Sequence, residues 1–402
     1  MLKIPKKITS EDFFKLLLIL FWGNNFIVSY ARAVLMRLPV ISVVSDAVFP
    51  GLSLLCFLGA LPFMFRNFTY KDLIFLLACA VAYCLNLLIY RPTQAYLLEK
   101  VYTFWALVFP MYFVGLRIDK REYVRLMYGI SLLNIWLFIV YSSLFGVEMN
   151  SDQSVYSGAM GRAYMLLPHV LIILLYAMRE HKIGTIATGV VASLYLFSCG
   201  TRGAVVALFA FLILFVILRV PGKKRPLLYL TIVILVVMVM HFYEEILLTM
   251  RMVSQRIGMS VRVFERLMNG SFFISDSRNA LSSGVWAALK EKPFTGYGIA
   301  GDWGIIGVYS HNFVLEMLVS YGLILGSILC GAVFWIFYRG YTKAKIGELQ
   351  DLILLFLCAA FLKLFLSNSY LLEENFFLLL GICVTQIRTN KKLPTGEMRR
   401  LA

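Results

Sequence analysis

Charge is in short supply in this sequence of 402 residues. Asp, Glu, Lys and Arg make up 15% of it, where a soluble domain carries about 25%. That excludes a soluble two-domain enzyme. Histidine is rarer still, at four scattered residues. The seven cysteines (Cys56, Cys79, Cys84, Cys199, Cys330, Cys358 and Cys383) sit in or at the ends of apolar runs and form no CxxC. Neither a disulfide framework nor a zinc site is indicated, and no metal or cofactor is assigned. The N-terminal stretch MLKIPKKITSEDFFK is basic, but no small-residue cleavage site follows it, so the first apolar run reads as a retained span. Alternation with period two is missing as well, which excludes a transmembrane β-barrel.

What the chain has in quantity is apolar side chains, 60% of the total. At about 20 residues per transmembrane helix they could furnish up to about 12 spans. Apolar runs separated by polar breaks fall at 13–29, 40–65, 73–90, 101–116, 126–146, 163–178, 184–199, 204–218, 227–243, 313–337, 351–367 and 376–387. The expected fold is an all-α polytopic membrane protein of about 12 transmembrane helices with one large outer loop carrying amphipathic helices. Helices 1–9 occupy residues 1–243, the loop 244–312, helices 10–12 residues 313–387, and a cytoplasmic tail 388–402.

The net charge of +16 is a matter of insertion, and it calls for no nucleic acid. With the N-terminus in the cytoplasm, 24 Lys and Arg fall on that side. The short outer loops hold only six: Arg32, Arg37, Arg91, Lys100, Arg162 and Arg202. The positive-inside rule therefore predicts both termini cytoplasmic. The 244–312 loop is then outside. Residues 245–268 read as one amphipathic helix, with Arg251, Arg262 and Arg266 within about 60° of one another. A second helix is expected at 279–291, with Asp276 or Ser277 as N-cap and Leu281, Val285 and Leu289 as its apolar stripe. Pro293 ends it.

Gly296-Tyr297-Gly298-Ile299-Ala300-Gly301 spells GxGxxG. A dinucleotide site needs a strand before the motif, and here a helix and Pro293 precede it. The segment reads as a turn in which glycine permits close backbone approach. His311 is the histidine this topology puts at the outer surface. It reads either as a base for a hydroxyl proton or as a helix cap. Arg202, in Thr201-Arg202-Gly203, suits a phosphate diester or snorkels to headgroups. Arg278 follows Asp276 and either binds an anion or pairs with it. Arg162 and Lys100 stand just before spans and read as substrate contacts or as interfacial charge. Lys363, mid-span, needs a partner or water, and Glu316 and Glu373 are the candidates. No DxD occurs in an outer loop.

Three segments together resemble the O-antigen ligase and polysaccharide polymerase family: SCGTRGAVVAL at 198–208, SRNALSSGVWAALKEKPFTGYG at 277–298, and HNFVLEMLVSYG at 311–322. The resemblance implies a metal-independent, inverting glycosyltransferase of the membrane-embedded GT-C type in the bacterial inner membrane. Its donor would be an undecaprenyl-pyrophosphate-linked oligosaccharide. By position, Arg202 and Arg278 match the family's two pyrophosphate-binding arginines, His311 the histidine of its HN(x9)G motif, and Arg162 an arginine before the sixth span. The pattern departs at Leu325, where a small residue or Tyr is common, with Gly326 one later. Polymerase is the first functional reading, with acceptor units on the same lipid carrier and a chain-length regulator as a candidate partner. A ligase transferring the glycan to a lipid A core or another surface acceptor is the second. A transporter or flippase is the third, disfavoured because the polar residues concentrate in one outer loop.

Overall fold

The computed structural model describes residues 58, 59, 61, 68–117, 120–145, 153–199, 201–219, 241, 243–256, 261–269, 276–344 and 347–389. The span expected at 13–29, and nearly all of those at 40–65 and 227–243, lie outside these residues. Among the described residues every regular element is helical. Five helices among these residues are long and apolar enough to cross a membrane: Tyr70–Ile89, Arg91–Arg117, Ala163–Glu180, Arg202–Arg219 and Phe313–Lys343. They coincide with five of the expected spans, and Ile183–Phe197 is a shorter apolar helix at a sixth.

Helix α1 (Tyr70–Ile89) shows what solvent these helices are built for. Its buried residues are Asp72, Tyr83 and Asn86, while Leu73, Ile74, Leu77, Val81, Leu85, Leu88 and Ile89 are exposed. In water that arrangement is inverted. Against hydrocarbon it is correct, because lipid solvates the leucines and the polar groups must find partners inside the protein.

The chain divides into two compact units. The first comprises residues 1–123, 277–353 and 364–402. In it, α2 (Arg91–Tyr102) continues through a π-helical stretch, Thr103–Val108, into α3 (Pro110–Arg117). The wide turn has a cause: Pro110 would clash with the carbonyl four residues back in a regular helix. Instead Phe109 N–H donates to the Phe104 carbonyl five residues back, at 2.8 Å. α3 packs tightly on the C-terminal helix Glu374–Thr389, where Gly115 and Gly381 let the two backbones touch. A Cβ on Gly381 would stand 2.1 Å from the Tyr112 carbonyl oxygen. Phe104, Phe109, Phe113, Phe376 and Phe377 fill the surrounding core with edge-to-face contacts.

One buried carboxylate ties three helix ends of this unit together. Thr69 and Asp72 form a capping box at the start of α1. Asp72 also accepts from Arg388 Nη1 at 2.7 Å and from Arg117 Nη2 at 3.4 Å. Asn86, Thr93 and Ile299 meet near the other end of α1.

The second unit comprises residues 124–276 and 354–363. Most of α4 (Lys120–Phe145), together with α5 (Gln153–Glu180), α6 (Ile183–Ser198) and α7 (Arg202–Arg219), belongs to it. His169 on α5, fully buried, meets Ser131 Oγ at 2.9 Å and Asn134 Nδ2 at 3.2 Å on α4. Tyr128 stacks on Tyr176 between the same helices, with centroids 4.0 Å apart.

Three expectations need amending. The single amphipathic helix expected at 245–268 is two helices among the described residues, α8 (Tyr243–Arg256) and α9 (Arg262–Met268), bridged by Arg251 and Glu265 at 3.6 Å. The second loop helix, α10 (Asp276–Glu291), starts at Asp276, so that residue is the first helical position and does not precede the helix as a cap. The span expected at 351–367 is interrupted. An α-helix, Glu348–Phe356, passes into a π-helical stretch at Leu357–Phe361 and then a single turn, Leu362–Leu364.

Removing the Asp72 carboxylate takes a buried acceptor from two arginines. Asp72→Ala is therefore expected to cost about 3 kcal/mol, read as a lower midpoint for loss of monodisperse protein on heating in detergent. An unchanged midpoint would mean the ion pairs contribute nothing.

Candidate active site

The site in the first unit is built around a break in a helix. α12 (Phe313–Lys343) loses helical geometry at Gly322, whose φ is 76° and ψ 171°. A broken helix leaves carbonyls without intrahelical donors. The GxGxxG segment supplies them: Tyr297 N–H donates to Val319 O at 2.8 Å and Gly298 N–H to Ser320 O at 2.9 Å. Leu323 N–H returns a bond to Pro293 O at 2.6 Å. The approach needs glycine on both sides. A Cβ on Gly322 would lie 2.2 Å from the Phe294 oxygen, and one on Gly296 would lie 2.6 Å from Gly322 N. Thus two of the sequence segments singled out above, PFTGYG and HNFVLEMLVSYG, are the two halves of one clasp. Gly326 lies against the Met317 carbonyl across the bend. That contact is where the departure at Leu325 falls.

The chain beyond the clasp is pinned along its length. Asn86 Oδ1 accepts from Ile299 N–H at 2.6 Å, and its amide donates to Thr93 Oγ1 at 3.1 Å. A short helix, α11 (Gly301–Ile306), follows, with Trp303 stacked on Tyr96 at 4.3 Å. α10 covers this region through Val285, which packs with Leu315 and Val319. Asp302 is 1% exposed. Its two carboxylate oxygens accept from Trp303 N–H at 2.9 Å and Ser310 N–H at 2.6 Å. Burial raises the carboxyl above its ordinary range, against the pull of these bonds.

His311 sits at the end of this run with φ 54°, a left-handed conformation that costs a non-glycine residue energy. Its ring meets Tyr309 edge-on at 4.5 Å. Asn312 is the N-cap of α12, accepting from Val314 N–H at 3.0 Å and Leu315 N–H at 3.3 Å. The capping role considered for His311 therefore belongs to its neighbour. Glu316, one turn into α12, is buried and accepts from the Ser369 hydroxyl. Its Oε2 has no hydrogen-bond partner among the described residues. Tyr321, farther along α12, and Tyr370, next to Ser369, share a hydroxyl bond of 3.0 Å.

Of the other sequence candidates, Arg278 stands in the first turn of α10, and Lys100 on α2 pairs with Glu99 and lies 5.8 Å from the Tyr96 ring. Both belong to the unit that holds His311. Arg202 is the first residue of α7 and half-buried, where the helix N-terminus favours an anion. Arg162 lies within α5. The side chains of Arg162 and Arg278 lie outside the described residues. Lys363 follows the second π-helical stretch and lies 5.3 Å from the Tyr164 ring. Arg202, Arg162 and Lys363 belong to the second unit. In the first unit Glu316 accepts from the Ser369 hydroxyl, and Glu373 from Asn368 at 2.8 Å and Asn375 at 3.3 Å. Asp302 and Asn86 were not singled out from sequence. Asp302 follows the last glycine of GxGxxG directly, which is the one local signal it carries.

Among the described residues the chain is all helical and several helices are of membrane length, which defines the class as a multi-pass membrane protein. Residues 187–330 match the family model described as O-antigen ligase. That match places the segment, which contains all three resembling stretches, in the O-antigen ligase/polymerase family. No curated protein and no solved structure matches the chain.

The clasp makes a sharp prediction. Gly322→Ala combines a forbidden φ with a backbone clash and is expected to cost about 2–5 kcal/mol. Gly331→Ala, on the same helix with nothing within 4 Å of its Cβ, is expected to be neutral or slightly stabilising. Size-exclusion profiles of the two variants after a heat step compare them; equal profiles would refute the clasp.

Proposed function

We propose that the protein is a surface polysaccharide polymerase at the outer face of the bacterial inner membrane, with about 12 spans, both termini cytoplasmic and a GT-C-like fold. It joins undecaprenyl-pyrophosphate-linked oligosaccharide units without a divalent cation. The observation that carries the reading is His311, held in a left-handed conformation between a buried carboxylate and a helix cap. Strained residues of this kind concentrate at functional sites. The family match, which contains Arg202, Arg278 and His311, supports it.

In the reaction, an acceptor sugar hydroxyl attacks the anomeric carbon of the donor glycan. His311 takes the hydroxyl proton as the new C–O bond forms. The bond from the anomeric carbon to the pyrophosphate oxygen breaks on the opposite face, so the configuration inverts. The electron pair leaves with undecaprenyl pyrophosphate. Charge builds on that leaving group, and Arg202 and Arg278, with Arg162 in support, stabilise it through preorganised guanidinium forks. Lys100 and Lys363 serve as further cationic contacts, and Glu316 as a buried carboxyl on α12. A chain-length regulator would act on the growing product.

A ligase that transfers the same donor to a lipid A core or another surface acceptor is the second reading. The description of the matching family favours it. Purified protein given only the lipid-linked repeat unit, in EDTA, separates the two. A ladder of products is expected for the polymerase, and transfer only after a separate acceptor is added would make the protein a ligase. Neither product from folded protein would refute the glycosyltransferase reading. His311→Ala is expected to abolish transfer with folding intact, and wild-type turnover would remove it as the base.

A further inference from the structure

We infer that Asp302 is a positioning residue for His311, acting through the Ser310 peptide; the inference rests on His311 as the base proposed above. Three observations converge on it.

The first is the use of both carboxylate oxygens. One accepts the adjacent Trp303 N–H at 2.9 Å within α11. The other reaches eight residues along the chain to Ser310 N–H at 2.6 Å. The amide so held belongs to Ser310, the residue immediately before His311. A capping role at α11 alone would need the Trp303 bond and leave the Ser310 bond without purpose.

The second is the backbone of His311. Its φ of 54° is unfavourable for any side-chain-bearing residue, so the conformation must be imposed from both sides. On the C-terminal side Asn312 fixes it by capping α12. On the N-terminal side the imposed constraint is the Asp302–Ser310 bond. The backbone carrying the imidazole is thereby held by a carboxylate on one side and a carboxamide on the other.

The third is accessibility. Asp302 is 1% exposed and both its oxygens are occupied, so it cannot itself reach an acceptor hydroxyl. Its service to the reaction runs through its neighbour. The charge type also matters. An asparagine offers one acceptor oxygen and would turn its NH₂ toward the second backbone N–H, so it cannot replace the carboxylate at both ends.

The test compares Asp302→Asn, Asp302→Ala and His311→Ala, using the native lipid-linked glycan in detergent. Asparagine preserves the side-chain volume and serves as the reporting variant if alanine fails to fold. Both Asp302 variants are expected to lose kcat by about tenfold to a hundredfold with KM within about twofold, because orientation is lost while substrate contacts remain. Amide exchange adds a readout independent of turnover. Peptides covering 307–315 are expected to exchange faster in the variants, while peptides covering 104–117 are unchanged. Wild-type kcat in the Asp302 variants, with His311→Ala inactive, would overturn the inference and leave the base assignment standing. Loss of kcat without faster exchange at 307–315 would overturn it too, because Asp302 would then act by another route. Wild-type turnover by His311→Ala would instead bring down the underlying reading.

Discussion

The interaction on which the rest of the first unit depends is made between backbones. α12 is interrupted at Gly322, and the carbonyls exposed by the interruption bind the amides of Tyr297 and Gly298. In hydrocarbon or at its boundary an unpaired peptide group costs several kcal/mol. The break in the helix and the turn that fills it are therefore stable only together. Everything on the N-terminal half of α12 is referred to this joint. The short helix carrying Asp302 leaves from it, and His311 returns to it.

The same accounting explains where the polar residues lie. Asp72, Asn86, His169, Glu316 and Glu373 are all buried, while leucines and isoleucines of α1 face outward. Several of them answer to a partner on another segment: Asp72 to two arginines, Asn86 to the loop at Ile299, His169 to Ser131 and Asn134. Polar side chains here do the specifying that apolar packing does in a water-soluble core. Close contacts between small residues, such as Gly115 with Gly381, complete it.

Much of this architecture was legible in the sequence. Apolar runs of membrane length gave the helices at 73–90, 101–116, 163–178, 204–218 and 313–337 because hydropathy in a bilayer is a strong, local signal. The stripe Leu281, Val285 and Leu289 belongs to a helix, as its spacing implied, and Val285 and Leu289 are buried. What could not be read was long-range pairing. Nothing local says that Gly296 and Gly322 meet, since each glycine alone has many explanations. Asp302 was invisible for the same reason: its meaning lies in an amide eight residues away. The assignment of the helix cap to Asn312 over His311 turns on φ and ψ, which the HN dipeptide does not determine. The π-helical stretch before Lys363 had no proline to announce it, unlike the one before Pro110.

The segment from Ile299 to His311 is closed on itself. It leaves α12's flank at the Gly298–Ser320 bond and rejoins the same helix at the Asn312 cap, so both its ends are fastened to one short stretch of α-helix. It is in effect a ring of about a dozen residues, and short rings lose little entropy on closure but tolerate almost no change in circumference. Length is therefore the conserved quantity this geometry demands. Sequence within the ring is free to drift wherever a side chain makes no bond, but an added or deleted residue would turn the histidine away from its present heading.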